Sequence, residues 1–247
     1  MALYTPLLFI LLILGIDTAP IHFRKQMIAA ESFESVGVFD VNNDQNLDLV
    51  SGAFWYEGPH FLKRHIVAQP RRFGEYYDDF STVPMDVDGD GWIDFITGGW
   101  NDNSIYWRKN PGNFEAEWKE QKIGETGNIE TTRAWDIDGD GVLEIVPNNP
   151  GKPLRVFKLI VDAAGKGTGK FQAYQVWDKQ GHGLGFGDLN NDGLPEVFFT
   201  ANQGSNKLYL NKGSLQFEDI SEKAGFKNKL QYSTGVVTVG IGDSGWA

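Results

Sequence analysis

The chain has 247 residues, 41% of them hydrophobic and 13% aromatic, enough for a packed core. Its 33 acidic and 22 basic residues give a formal charge of -11, and no basic stripe is present, which sets nucleic acid aside as a partner. The absence of cysteine excludes disulfides, thiol catalysis and Cys-ligated zinc.

In chain order, residues 1–16 (MALYTPLLFILLILGI) come first and carry no charged side chain. The run from Leu7 to Ile16 has the length of a signal-peptide core and falls short of the ~20 apolar residues that span a bilayer. Residues 1–19 are therefore expected to be an export signal or N-terminal anchor, with periplasmic, cell-surface or extracellular destinations. The membrane would be a partner only through this segment, left uncleaved. No Lys or Arg precedes the run and Asp17–Pro20 is a poor cleavage site, so a buried N-terminal strand is the alternative.

Residues 20–247 read as one repeat domain. Four nine-residue segments recur: DVNNDQNLD from Asp40, DVDGDGWID from Asp86, DIDGDGVLE from Asp136 and DLNNDGLPE from Asp188. Their starts lie 46, 50 and 52 residues apart, the period of a repeat architecture. They hold 14 of the 33 carboxylates, so outside them 19 acidic residues face 22 basic ones and the acidity belongs to the loops.

Short β-rich runs bounded by Gly, Asn and Asp flank each loop. The first loop sits between Ser35–Phe39 and Leu47–Phe54, followed by Trp55-Tyr56 and Phe61–Ile66. The second sits between Ser81–Met85 and Trp92–Thr97, followed by Ile105–Trp107 and Phe114–Ile123. The third sits between Thr131–Trp135 and Val142–Pro147, followed by Leu154–Phe157 and Phe171–Val176. The fourth sits between Gly183–Gly187 and Leu194–Thr200, followed by Leu208–Leu210 and Phe217–Ile220. Four strands per repeat of about 50 residues predict one blade of a β-propeller. The fold class is all-β, with antiparallel blades at about 34–66, 79–124, 131–178 and 183–221 and a partial fifth at 233–247.

Phe23–Ile28 reads as an extra outer strand and Ser233–Val239 as a fifth inner strand, so the ring is expected to be incomplete and the chain part of a longer protein; a closed ring of four or five blades is the alternative. Asp162–Lys170 and Glu222–Gln231 are expected to be surface loops.

The four loops, together with LYLNKGSLQFEDISEKAGF at Leu208–Phe226, resemble the FG-GAP/VCBS repeat family of integrin-alpha-like propellers. The likeness covers nearly everything after residue 20. It implies a propeller of about seven blades and says little about activity, because members of that family bind many things.

Oxygen donors at alternate positions, with Gly for a sharp bend, suit Ca²⁺. The expected ligands are side chains at positions one, three, five and nine and the carbonyl at position seven. These are Asp40, Asn42, Asp44, Asn46 and Asp48; Asp86, Asp88, Asp90, Trp92 and Asp94; Asp136, Asp138, Asp140, Val142 and Glu144; and Asp188, Asn190, Asp192, Leu194 and Glu196. Up to four structural Ca²⁺ ions follow. Metal-free Asx turns are the alternative. The twelfth positions are Ser51, Thr97, Pro147 and Phe199 and the flanks are strands, which excludes EF-hands. The first loop, with Gln45 in place of Gly, is the weakest. Apolar position eight (Leu47, Ile93, Leu143, Pro195) is expected to plug the blade core.

The segments leading into the inner strands gather polar and aromatic groups at one mouth of a propeller channel. Tyr77, Glu130, Arg133 and His182 are the candidate catalytic set, with His182 or Tyr77 as base and Arg133 stabilising enolate-like charge. Against this, His182 between glycines suits a turn, Asp78 and Asp79 suit a turn cap, Arg133 could pair with Glu130 or Asp79, and Tyr76, Tyr77 and Trp177 suit inter-blade packing. Trp55, Trp100 and Trp107 read as core or sugar-stacking residues. Trp55–Gly58, EYYDDF at Glu75–Phe80 and GHGLGFGD at Gly181–Asp188 are similar to the propeller domain of aldos-2-ulose dehydratase and related sugar lyases. The leading expectation is an exported Ca²⁺-binding module for carbohydrate or extracellular protein. The second is a carbon–oxygen lyase acting on a sugar or polysaccharide.

Overall fold

The computed structural model describes residues 22–114, 116–201, 204–226 and 233. Residues 31–247 form one compact unit, and the described residues 22–30 of the other carry no regular secondary structure. The strand expected at Phe23–Ile28 is therefore not formed; Phe23 and Met27 are among the most exposed large apolar side chains. The N-terminal apolar run and all but Ser233 of the expected fifth inner strand lie outside the described residues.

Four four-stranded antiparallel sheets follow one another along the chain. The first blade is β1 (Gly37–Phe39), β2 (Asp48–Ser51), β3 (Phe54–Tyr56) and β4 (Arg64–Ile66). A two-stranded hairpin, β5 (Arg72–Phe73) and β6 (Tyr76–Tyr77), comes next. The second blade is β7 (Val83–Met85), β8 (Asp94–Gly98), β9 (Ser104–Lys109) and β10 (Lys119–Glu125). The third is β11 (Thr131–Trp135), β12 (Glu144–Asn148), β13 (Leu154–Val161) and β14 (Gly167–Trp177), and the fourth β15 (Gly183–Gly187), β16 (Glu196–Thr200), β17 (Lys207–Asn211) and β18 (Phe217–Asp219). Each sheet keeps its strands in sequence order and none borrows a strand from another repeat, so the propeller of four-stranded blades is confirmed and no closed small ring is formed among the described residues.

The expected loop at Asp162–Lys170 is instead the tip of a long hairpin, since β14 begins at Gly167 and pairs with Val161. Residues 71–80, which lead into the second blade and hold the candidate Tyr77, fold in part into the β5–β6 hairpin. Its two central residues are Gly74 and Glu75, and Gly74 has φ +63°, the conformation that glycine supplies at the first central position of such turns.

Three apolar clusters hold the blades together, one at each junction. Phe39, Val41, Val50 and Trp55 meet Phe95 and Trp118 between the first and second blades. Val87, Ile96, Ile105 and Trp107 meet Ile129, Ile145, Phe157 and Leu159 between the second and third. Ile137, Val146, Leu154 and Val156 meet Leu184, Phe186, Val197, Phe199 and Tyr209 between the third and fourth. Successive strand residues point to opposite faces. Phe95 thus faces the first blade and Ile96 the third, while Ile145 faces the second and Val146 the fourth. With both faces covered, β8 and β12 are buried at every residue, which is why they read as apolar runs rather than alternations. Trp55 and Trp107 are core residues, whereas Trp100 is 44% exposed. On the first blade Val36 and Val38 are exposed, so one face of that sheet is uncovered among the described residues.

Candidate metal centres

Each acidic loop joins the first strand of a blade to the second and is folded by its own carboxylates. Position one caps the turn with both oxygens. Asp86 accepts the amides of Gly89 (2.9 Å) and Gly91 (3.1 Å), Asp136 those of Gly139 (2.8 Å) and Gly141 (2.9 Å), and Asp188 those of Asp192 (3.1 Å) and Gly193 (3.0 Å). Asp40 does the same for Asp44 and Gln45. Position five accepts the amide of position seven in every loop: Asn46 to Asp44, Trp92 to Asp90, Val142 to Asp140 and Leu194 to Asp192. Position six takes a left-handed backbone throughout. Gly91, Gly141 and Gly193 adopt φ +88°, +87° and +88°, and Gln45 is forced to φ +70°, so the first loop carries strain the others avoid.

Position nine is buried in all four loops: Asp48, Asp94 and Glu144 at 0% exposure and Glu196 at 2%. One of its oxygens accepts the amide of position two: Val41 (2.8 Å), Val87 (3.1 Å), Ile137 (2.8 Å) and Leu189 (2.7 Å). In three loops the other reaches towards the third strand, taking Gly58 N–H at 2.7 Å, Asn110 N–H at 2.7 Å and Asn211 N–H at 3.4 Å. The position-two carbonyl is held in turn by the next blade. Asn110 Nδ2 donates to Val41 O (2.9 Å), the Gly169 amide to Val87 O (2.9 Å) and Asn211 Nδ2 to Ile137 O (2.8 Å).

The core plug is thus position two, not position eight. Val41, Val87 and Ile137 are fully buried, whereas Leu47 is 62% and Leu143 43% exposed; only Pro195 is buried and Ile93 half-buried. Position nine starts the second strand with its side chain inward, so alternation turns position eight outward.

Residues 86–146 and 188–244 match the family model for FG-GAP-like repeats. These two stretches of the chain are FG-GAP-like repeats. A comparison with curated proteins gives no match. Among solved structures the chain is similar to the V. cholerae biofilm matrix protein Bap1, with 15% identity and a TM-score of 0.41 over 74% of this chain and 27% of that one. The present chain therefore spans about a quarter of that protein's length.

The acidic loops offer only oxygen. Carboxylate oxygens of Asp86, Asp88 and Asp90 lie within 4.8 Å of one another, as do those of Asp136, Asp138 and Glu144. In the first and fourth loops an amide oxygen, Asn42 or Asn190, replaces the third carboxylate. Asp88 Oδ1 and Asp138 Oδ1 are buried without a hydrogen-bond partner, and Glu144 Oε1 is met only by the Lys158 ammonium, 3.2 Å away. Burial pushes Asp94 up to about 7, against the lowering pull of the Asn110 and Val87 amides. Burial likewise raises Asp48, Glu144 and Glu196. Desolvated carboxylates facing orphaned oxygens are a donor set that fits a hard divalent cation, which would restore the charged form.

At the inner edges, the residue leading into each first strand donates its amide to the end of the second: Phe80 to Gly98 (3.0 Å), Glu130 to Asn148 (3.0 Å) and His182 to Thr200 (2.6 Å). Glu130 and His182 hold equivalent places in consecutive blades, and their side chains meet, His182 Nδ1 lying 2.8 Å from Glu130 Oε2. Burial raises the Glu130 carboxyl while His182 draws it down. A cleft beside His182 is lined by Trp177, Lys179, Gln180, Lys207 and Tyr209. Tyr77 sits elsewhere, on β6, with its ring 4.9 Å from that of Phe33 and beneath Arg72. Arg133 is exposed on β11, and the carboxylates expected to pair with it are engaged with other groups. Asp78 caps the turn at Asn101 (2.9 Å) and Asp102 (2.8 Å). Asp79 accepts Ser35 Oγ (3.0 Å) and Thr97 Oγ1 (3.4 Å).

Asn110 and Asn211 escaped the sequence reading, although Asn stands at the same place at the end of the third strand in two repeats. Replacing Asn211 with Ala strands the buried carbonyls of Ile137 and Pro195, which its amide serves at 2.8 and 3.0 Å. It should lower unfolding free energy by about 2–4 kcal/mol in denaturant titration. The buried Asp79 carboxyl provides a second check, because burial pushes it up to about 6. A carboxyl in the unfolded chain titrates near 4, so the folded state holds the extra proton between about pH 4 and 6. That contribution is complete below the lower value and is lost as pH rises through the upper one. Asp79→Asn should therefore flatten the stability slope in that window by up to roughly 3 kcal/mol, read from unfolding curves at successive pH values.

Proposed function

We propose that this chain is the Ca²⁺-stabilised repeat region of an exported binding module whose ligand is a carbohydrate or an extracellular protein. The observation that carries the reading is the buried position-nine carboxylate, present in all four loops and, in the third, clustered with Asp136 and Asp138. A flexible shell of oxygens from Asp, Asn and main chain suits Ca²⁺ better than the smaller, stricter Mg²⁺. The ion would be held by positions one, three, five, seven and nine. It would neutralise the loop and leave ligand binding to other surfaces. Export is supported by the uncharged run at residues 1–16, and it would place the loops where calcium is abundant enough for the weak affinity, ~10⁻⁴–10⁻³ M, of extracellular Ca²⁺ modules. The cleft beside His182, with the half-buried Trp177 among lysines and amides, has the aromatic and polar lining that suits a sugar.

Millimolar CaCl₂ should raise the unfolding midpoint over that in chelator, by about 1.4 kcal/mol of stability for each tenfold excess over the dissociation constant at one site. Asp192→Asn should shrink the rise; in chelator it should lower the midpoint only by the loss of the Asn190 bridge, since the amide oxygen still accepts the Leu194 amide. Equal midpoints with and without calcium in the unmodified chain would remove the reading.

The Glu130–His182 pair favours a second reading, a sugar dehydratase or polysaccharide lyase in which His182, oriented by Glu130, takes a proton beside a carboxylate or carbonyl. Uronic-acid polymers and keto-sugars should then yield the ultraviolet absorbance of a new C=C or enone, and His182→Ala should abolish it. Binding of the same compounds without absorbance would leave the module reading.

A further inference from the structure

Two of the four loops face a lysine. Strand pairing places Lys158 opposite Glu144. The same register places Lys109 opposite Asp94, one step beyond the Phe95–Arg108 pair. In the first and fourth blades the corresponding residues are Glu57 and Leu210, one step beyond Leu49–Tyr56 and Val197–Tyr209. The Lys158 ammonium lies 2.5 Å from Asp138, 2.6 Å from Asp140 and 3.2 Å from Glu144. Lys109 pairs with Asp88 and lies 2.9 Å from Asp90.

The two lysines stand only where position three is Asp. Where it is Asn, its own amide makes the bridge to position five, Asn42 to Asp44 at 3.1 Å and Asn190 to Asp192 at 2.9 Å. A four-carboxylate loop with its lysine and a three-carboxylate loop alone both carry a net charge of -3. Long-range attraction for a cation is thereby levelled. What differs is occupancy: in the second and third loops a positive group already sits among positions three and five, and in the third loop also against the buried Glu144.

We propose that Lys109 and Lys158 are resident counter-ions that compete with a divalent cation for the second and third loops, dividing the four loops into two affinity classes with the first and fourth the tighter. The inference rests on the reading of these loops as Ca²⁺ sites. It reverses the order expected from ligand charge alone, in which DVDGDGWID and DIDGDGVLE lead. The lysines hold those two loops closed when calcium is scarce, and an incoming ion must displace an ammonium making two or three carboxylate contacts.

The test is calorimetric titration of the complete chain with CaCl₂, in the unmodified protein, the double variant Lys109→Met/Lys158→Met and the variant Leu210→Lys, each first shown to melt cooperatively. The double variant should bind calcium at least tenfold more tightly at two sites while melting lower in chelator. Leu210→Lys, which installs an ammonium at the fourth loop, should weaken one site at least tenfold; it keeps the test open should the double variant fail to fold. Calcium uptake with the same affinities in all three proteins overturns the resident counter-ions alone. No uptake by any of the three overturns the Ca²⁺ reading of the loops and this inference with it.

Discussion

One peptide group per repeat ties the structure together. At position two of each acidic loop the amide is held by the buried carboxylate at position nine. In the first three repeats the carbonyl is held by a donor from the following blade. The side chain of that residue fills an inter-blade cluster, as Val41, Val87 and Ile137 show. Loop closure, strand connection and blade stacking therefore meet at a single residue. A buried amide or carbonyl without a partner costs about 1–3 kcal/mol, a sizeable fraction of the roughly 5–15 kcal/mol that holds a domain folded. The carbonyl contact, which crosses to the following blade, therefore adds a directional bond to the apolar surface between the two blades.

The second consequence concerns charge. A carboxylate placed where it can reach a buried amide must itself be buried, and the loop turn needs further carboxylates to cap its amides. The repeat thus concentrates anions where water is scarce, which is costly until something positive arrives. A divalent cation is one answer and a lysine from the third strand is another. The chain carries the lysine in two repeats and dispenses with one carboxylate in the other two. The amide of Asn42 or Asn190 then does the bridging that the ammonium does elsewhere.

Much of the fold was legible because it is periodic. The nine-residue loops set the repeat, and apolar runs on either side gave strands whose cores coincide with those observed, as at Thr131–Trp135 and Gly183–Gly187. The errors came where face or pairing, not composition, decides. Position eight is apolar in every loop but turns outward in Leu47 and Leu143, because position nine takes the inward place. The glycine-rich stretch from Asp162 reads as a loop, yet tertiary pairing with β13 makes half of it a strand. The metal positions were visible in the loops themselves. The lysines and asparagines that complete them were not, since they come from the third strand or the next repeat. Of the four residues gathered at the expected channel mouth, Glu130 and His182 meet because they occupy equivalent places in consecutive blades, while Tyr77 belongs to a hairpin that no periodic signal announced.

The direction of the inter-blade bond has a bearing on how the molecule comes into being. Val41 waits for Asn110, Val87 for Gly169 and Ile137 for Asn211, always a partner made later in synthesis. Each turn closes through carboxylates of its own repeat, but the carbonyl at its second position stays without this partner until the following repeat is in place. Loss of one repeat is therefore felt in the repeat that precedes it.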